Sequence, residues 1–215
     1  MSLSAGRSFS VGDLPIDGVD AGTSVLLTGD DSRALEAAFY HLVAPEPEER
    51  AAVLSTDTQG RSVRRSLDRV AEGAADRTSV LAGTGRSSDG VQAVDDLADL
   101  AGLGMTFTSM VAEAQQGSGR FRSGILLCSS VCAAADDIRS VYRMLNSNFL
   151  PELRRGDGIG VCALDTSVDF GSTSSSVVKG MTTSFNTHIT VESDGRDVSL
   201  DLSDFGGSDR STVSL

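Results

Sequence analysis

Short apolar runs alternate with amphipathic stretches across residues 24–165. The runs Ser24–Thr28, Ala51–Ser55, Thr78–Ala82, Gly124–Ser129 and Ile159–Leu164 read as strands. Ile125-Leu126-Leu127-Cys128 is apolar without alternation, which marks a strand buried on both faces. Between the first two runs, Ser32–Val43 sets Leu35, Ala38, Phe39 and Leu42 on one helical face, and Pro45 and Pro47 end it. A basic helix is expected from about Arg61 to Glu72, and further helices near 91–100 and 106–115. The strongest helical pattern starts near Asp136 and carries Ile138, Val141, Tyr142, Leu145, Phe149 and Leu153. Asp136 and Asp137 suit its positive end, Arg154 and Arg155 its negative end, and Pro151 predicts a kink or split.

Turn chemistry separates these elements. Residues 1–22 read as an irregular lead-in with turns at Gly12-Asp13, Asp17-Gly18 and Ala21-Gly22. Gly83–Gly90 and Ser172–Ser176 read as polar loops, Gly117–Ser123 as a turn-rich link, and Gly156-Asp157-Gly158 as a turn. His188–Glu192 and Val198–Leu202 form an expected hairpin around Asp194-Gly195, and residues 203–215 an expected frayed end. Strands alternating with helices predict an α/β fold with a mostly parallel sheet covered on both faces, to which the hairpin adds antiparallel edge strands. No internal repeat or long linker interrupts the pattern. One domain is expected over 13–203, after a lead-in at 1–12 and before a flexible tail at 204–215.

Composition narrows the function classes. The chain has 215 residues, 40% of them hydrophobic, enough for a substantial core. Lys+Arg is 18 against 30 for Asp+Glu, a net charge of −12, and 17 of the 18 bases are Arg. Acid excess, arginine over lysine and 5% aromatics point to a salt-adapted cytoplasmic protein, the alternative being an ordinary acidic bacterial domain. The charge offers no basic stripe for nucleic acid. No run of about 20 apolar residues suits a membrane span, and residues 1–10 lack the apolar core of a signal peptide. Cys128, Cys132 and Cys162 sit in or beside apolar runs and read as buried free thiols. With only His41 and His188 to add, the Cys-x₃-Cys pair is a poor zinc ligand set.

The candidate chemistry centres on Gly29-Asp30-Asp31-Ser32-Arg33-Ala34-Leu35-Glu36, between the first strand and the first helix. A phosphate-binding loop, G-x-x-x-x-G-K-[ST], occupies that setting in nucleotide-binding proteins. Here Ala34, Leu35 and Glu36 stand where the second glycine, the lysine and the hydroxyl residue belong. The one lysine of the chain is Lys179, far downstream. Arg33 faces Asp30, Asp31 and Glu36, so the loop carries the wrong net sign for a polyphosphate.

Residues 14–29, ending Thr23-Ser24-Val25-Leu26-Leu27-Thr28-Gly29, resemble the opening of a KaiC-like, RecA-superfamily ATPase domain. Ala52-Val53-Leu54-Ser55-Thr56-Asp57 is similar to that family's second strand, and Arg122–Ser130 to its Walker B strand. The helix from Asp136 and the strand Gly160–Asp165 resemble the family's next elements, so the likeness covers roughly residues 10–205. The composition further resembles degenerate RecA-like proteins of halophilic archaea. The resemblance implies a three-layer αβα RecA-like fold. It does not carry the family's ATPase activity over, because Cys128 and Ser129 stand where Walker B has its carboxylate.

Two readings are open. In the first, the chain is a non-catalytic RecA/KaiC-like domain with no cofactor. It acts through protein contacts, with an active KaiC/RecA-like paralogue or a signalling component, or with further copies of itself. In the second, it binds nucleotide or hydrolyses it weakly through unorthodox ligands, with ATP and magnesium as cofactors. The remnant nucleotide-binding residues are then Gly29, Asp30, Asp31, Ser32, Arg33 and Asp57. Plainer roles compete at each position. Gly29 suits a tight strand-to-helix turn, Asp30 and Asp31 suit a helix N-terminus, and Asp57 suits a cap for the next helix. A metal held by Asp57, Asp165 and Asp169 at the strand ends, a role for His188, and a nucleophile turn at Ser129-Ser130 without a base are weaker candidates. A DNA-associated recombinase relative is weaker still, given the acidic balance.

Overall fold

The computed structural model describes residues 8–170, 174–194, 197–202 and 210–213. The strands are β1 (Ser8–Phe9), β2 (Val19–Asp20), β3 (Ser24–Gly29), β4 (Arg50–Ser55), β5 (Thr78–Ala82), β6 (Val91–Ala93), β7 (Arg120–Leu126), β8 (Asp157–Asp165), β9 (Thr187–Asp194), β10 (Asp197–Asp201) and β11 (Arg210–Val213). The helices are α1 (Ser32–Val43), α2 (Gly60–Val70), α3 (Leu100–Ser118), α4 (Cys128–Ala134), α5 (Ile138–Met144), α6 (Leu150–Arg155) and α7 (Ser174–Thr182).

Nine strands form one sheet in the order β11-β10-β9-β3-β8-β7-β4-β5-β6. The seven from β9 to β6 run parallel, and β10 and β11 add the antiparallel edge. The central strands β3 and β8 are buried almost throughout, as their continuous apolar runs require. One core joins α1 and α2 to one face through Leu35, Phe39, Leu42, Val63 and Leu67. The other joins α3, α4, α5, α6 and α7 to the opposite face through Leu103, Phe107, Val131, Val141, Leu153 and Val177. The expected mostly parallel sheet with two helical layers is the observed architecture.

Several boundaries differ from the sequence expectations. Within the lead-in, Ser8–Phe9 pairs antiparallel with Val19–Asp20, and Phe9 and Val19 are fully buried. Residues 91–99 are not helical. Val91–Ala93 extends the sheet beside β5, and α3 starts only at Leu100, with Asp99 accepting from the Gly102 N–H, and runs to Ser118. Gly119 ends α3 at φ 71°, so β7 begins at Arg120 rather than at Gly124. The pattern from Asp136 is a continuous helical stretch, but residues 145–149 form a π-helical turn just before Pro151. Proline brings no N–H, and the widened turn accommodates that loss without breaking the stretch. Ser174–Ser176, expected in a loop, open α7, and Arg210–Val213, expected to be frayed, pair with β10. The rest of the expected tail, and Gly195 of the expected turn, lie outside the described residues.

At the amino ends of the parallel strands a buried ion pair ties three segments together. Arg122 on β7 is 1% exposed. Its Nε donates to Glu49 Oε2 at 2.6 Å and its Nη1 to the Leu42 carbonyl at 3.0 Å. Arg120 Nη2 donates to Glu49 Oε1 at 3.1 Å and to the Ser8 carbonyl at 3.0 Å. Both guanidiniums lie over the Phe9 ring, at 4.2 Å for Arg120 and 5.5 Å for Arg122.

Candidate functional site

The carboxyl ends of parallel strands are where an open α/β sheet holds ligands. Here β3 passes into α1 through only two residues, Asp30 and Asp31. Asp31 takes an extended conformation (φ −114°, ψ 104°) and caps the helix. Its Oδ1 accepts from the Arg33 N–H at 2.9 Å and the Ala34 N–H at 3.2 Å, and its carbonyl from the Leu35 N–H at 3.0 Å. The positive end of α1, the part of a phosphate site that grips an anion, therefore holds a carboxylate of its own chain. The Ala34 hydrogen bond foremost keeps Asp31 below the usual carboxylate range.

The neighbouring strand end closes the slot further. Asp165, at the end of β8 and 5% exposed, accepts from the Ser32 hydroxyl at 2.6 Å through Oδ2. Its Oδ1 accepts from the Ser167 N–H at 2.8 Å and the Ser167 hydroxyl at 2.6 Å. The Thr166 N–H and hydroxyl donate to the Gly29 carbonyl at 2.7 and 2.9 Å. Burial pushes Asp165 up, but the Ser167 and Ser32 hydrogen bonds outweigh it and hold its carboxyl below the ordinary range. Its contribution to stability is thus complete above the unfolded value near 3.8 and is lost as pH falls through the folded value. Asp165→Asn is expected to cost about 1.5–3 kcal/mol at pH 7, the worth of hydrogen bonds to a charged group. The gap from wild type should narrow as pH drops below about 4, read from urea unfolding at a series of pH values. A pH-independent gap would contradict this account.

Gly29, Leu35 and Glu36 are used structurally. A Cβ on Gly29 would sit 2.4 Å from the Val191 carbonyl oxygen of β9, so the residue is glycine because strands meet there. Leu35, at the expected lysine position, is fully buried and points into the core. Glu36, at the hydroxyl position, accepts from Thr58 Oγ1 at 3.0 Å. Asp30 and Arg33 are exposed.

The expected Walker B strand ends earlier than the sequence suggests. β7 stops at Leu126, and Leu127 takes a left-handed conformation (φ 56°, ψ 53°) that leads directly into α4. Thr56 holds this turn, its hydroxyl donating to the Leu127 carbonyl at 2.7 Å. Cys128 and Ser129 are therefore buried in the first turn of α4 rather than standing at a strand tip. Asp57 is exposed beyond β4 and accepts a short hydrogen bond from the Ser130 hydroxyl, while its carbonyl accepts from Thr84. The three cysteines are buried free thiols as expected. The Cys132 hydrogen bond pulls Cys128 down, but that from Cys162 and burial lift it well above the ordinary thiol range. The Cys128 hydrogen bond and burial lift Cys132 as well. Both stay protonated and unreactive in place.

Among the described residues no group of three His, Cys, Asp or Glu side chains is placed to hold a metal ion, so Asp57, Asp165 and Asp169 are not assembled into one. His188 is half-buried on β9, its Nε2 2.7 Å from Thr28 Oγ1. Lys179 is exposed on α7. No helix among the described residues is long and apolar enough to cross a membrane. The Ser32–Asp165–Ser167 network was not foreseen. Its signal was the Asp165-Thr166-Ser167 run directly after an apolar strand, a combination that favours side-chain turns.

The fold is similar to three solved archaeal structures at identities that speak to fold alone. The KaiC-like protein PH0186 from Pyrococcus horikoshii OT3 superposes with a TM-score of 0.58 at 14% identity, covering 91% of this chain and 87% of that one. The uncharacterized protein PH0321 from Pyrococcus horikoshii, solved in complex with an unknown peptide, gives 0.63 at 11% identity, covering 88% and 87%. The protein PH0250 from Pyrococcus horikoshii OT3 gives 0.55 at 13% identity, covering 84% and 86%. No curated protein matches the sequence. Residues 22–191 match the profile described as a family of unknown function (DUF7504), and the chain, which has the KaiC-like α/β fold, belongs to that family.

Proposed function

We propose that this chain is a non-catalytic RecA/KaiC-like domain that works in the cytoplasm through protein contacts, as a regulatory or scaffold partner. The observation that carries this reading is the two-residue connection at Asp30-Asp31, whose carboxylate occupies the α1 N-terminus that a nucleotide phosphate would need. The Ser32–Asp165 hydrogen bond and the Thr166 contacts to Gly29 support it by filling the adjoining strand ends. Placing a triphosphate there would set its charge against Asp30, Asp31 and Asp165 with Arg33 as the nearby cation. Partners consistent with this reading are an active KaiC/RecA-like paralogue, a signalling component or a further copy of the chain. The peptide held by PH0321 supports a fold of this kind engaging polypeptide.

Isothermal titration with ATP and magnesium tests the reading. No heat of binding is expected up to millimolar nucleotide. Micromolar affinity would overturn it in favour of the rival built on Arg33 and Asp57, which also requires Arg33→Ala to weaken that affinity.

A further inference from the structure

The least expected charge in this acidic chain lies on α2. Residues 60–70 carry four arginines and one aspartate, whereas the whole chain has a net charge of −12. The buried side of α2 is Gly60, Val63 and Leu67, which turns Arg61, Arg65 and Arg69 outward at a spacing of four residues. Such a spacing forms one ridge along a helix, about 12 Å from first to last. Arg64 does something different. It is folded back onto the Ala75 carbonyl at 2.8 Å, the Asp89 carbonyl at 2.6 Å and Asp76 at 3.3 Å, and so braces the neighbouring loops. Among the described residues, the side chains of Arg61 and Arg65 hydrogen-bond only to the Ser88 and Ser62 hydroxyls, at 3.4 and 3.1 Å. Among the described residues neither is paired with a carboxylate.

Two cavities flank this ridge and share Gln59 and Arg61 in their walls. One, of about 420 Å³, is bounded by Arg61, Arg86, Gln59, Thr84 and Gly85 and has no acidic residue in its lining. The other, of about 620 Å³, continues past Arg61 to Arg65. Its wall also carries Asp68, Asp76 and Asp89 against Arg61, Arg64 and Arg65, with Asp76 paired to Arg64 and Asp68 accepting from the Ala75 N–H at 3.2 Å, so the charge at this end is balanced. Asp89 is exposed at its rim. The result is a groove with guanidiniums along its length, balanced by carboxylates at the Arg65 end and unopposed between Arg61 and Arg86.

We propose that this groove docks an acidic peptide segment of a partner protein, with Arg61, Arg65 and Arg86 pairing with its carboxylates. This rests on the reading that the chain works through protein contacts, and names the surface and the chemistry. Guanidiniums are shaped for two-point carboxylate recognition. An extended segment rises about 3.3 Å per residue, so roughly four residues span the ridge. A long polyanion such as nucleic acid would run on from the groove over a chain whose net charge is −12, and a short acidic segment would not.

The test uses fluorescence anisotropy with a fluorescein-labelled deca-glutamate peptide in low salt, alongside a deca-glutamine peptide, a ten-nucleotide single strand and inorganic triphosphate as competitors. Deca-glutamate is expected to bind and deca-glutamine not to bind. Arg61→Gln/Arg65→Gln should weaken binding at least tenfold, and Arg139→Gln/Arg143→Gln, the same charge loss on the opposite helical layer, less than twofold. No binding, equal loss in both double variants, or stronger binding of the oligonucleotide or triphosphate would each overturn the proposal. Titration of ATP and magnesium into the same samples separates the two levels. Nucleotide binding would sink the non-catalytic reading whatever the peptide does, and peptide silence without nucleotide binding would sink the groove alone.

Discussion

Glu49→Ala is expected to lower the unfolding free energy by about 3–5 kcal/mol, the usual cost of removing one member of a buried ion pair. Glu49 is 3% exposed and is, among the described residues, the one carboxylate paired with Arg122, which is 1% exposed. Truncation leaves a guanidinium in the core with the Leu42 carbonyl and the Phe9 ring for company, and its Nη2 already lacks a partner. Arg120 is less affected because its side chain is 26% exposed and can turn to water. The same logic predicts partial recovery in Glu49→Leu/Arg122→Leu, where both charges vanish and apolar volume replaces them. Urea unfolding of the three proteins is the measurement. A loss below 1 kcal/mol for the single variant, or a double variant less stable than the single, would refute this account of the pair.

Phe39→Ala is expected to cost about 3–5 kcal/mol. Phe39 is fully buried on the sheet-facing side of α1, directly over Gly124 of β7. A Cβ added at Gly124 would lie 2.4 Å from Phe39 Cζ and 3.0 Å from Val43 Cγ2, so the ring occupies the space the glycine leaves. Gly124→Ala alone is therefore expected to cost about 1–3 kcal/mol by overpacking. In the Phe39→Ala background the added methyl enters the cavity instead of colliding. The double-mutant cycle should then show a favourable coupling of about 0.5–3 kcal/mol. Additivity within 0.5 kcal/mol would show that Gly124 and Phe39 do not fit one another as described.

The same contact explains which parts of the fold were legible in the sequence. Ser24–Gly29, Arg50–Ser55 and Thr78–Ala82 are apolar runs between turn signals, and α1 has both a clear face and a cap, so local pattern and tertiary packing agree. Elements escaped where the chain's own pattern is weak and a neighbour supplies the order. Val91–Ala93 is three residues long and exists because β5 offers an edge. Ser8–Phe9 pairs with Val19–Asp20 around a turn-rich stretch, and Phe9 is buried beneath arginines remote in sequence. The serines that open α7 read as loop, because the residues that reach the core, Val177, Val178 and Met181, come further on. The start of β7 was misplaced because Arg120 and Arg122 look like surface residues until Glu49 is known to face them. At the candidate site, the sequence showed which phosphate-loop groups are missing at 34–36. It also placed Asp31 at the helix start as a cap, but it did not show that Asp165 fills the adjoining space, since that depends on a neighbouring strand 133 residues away from Ser32.

The brevity of the link between β3 and α1 bears on how such a chain could ever change its chemistry. Lysine at position 35 would be driven into the apolar interior, where Leu35 is now fully enclosed, and a hydroxyl at 36 would merely give up the bond to Thr58. On the proposed non-catalytic reading, point substitution at these two positions therefore offers no route to nucleotide hydrolysis. Gaining it would take an insertion that lifts the backbone off the sheet and frees the helix start from its resident carboxylate, a step of a different evolutionary kind from drift at single codons.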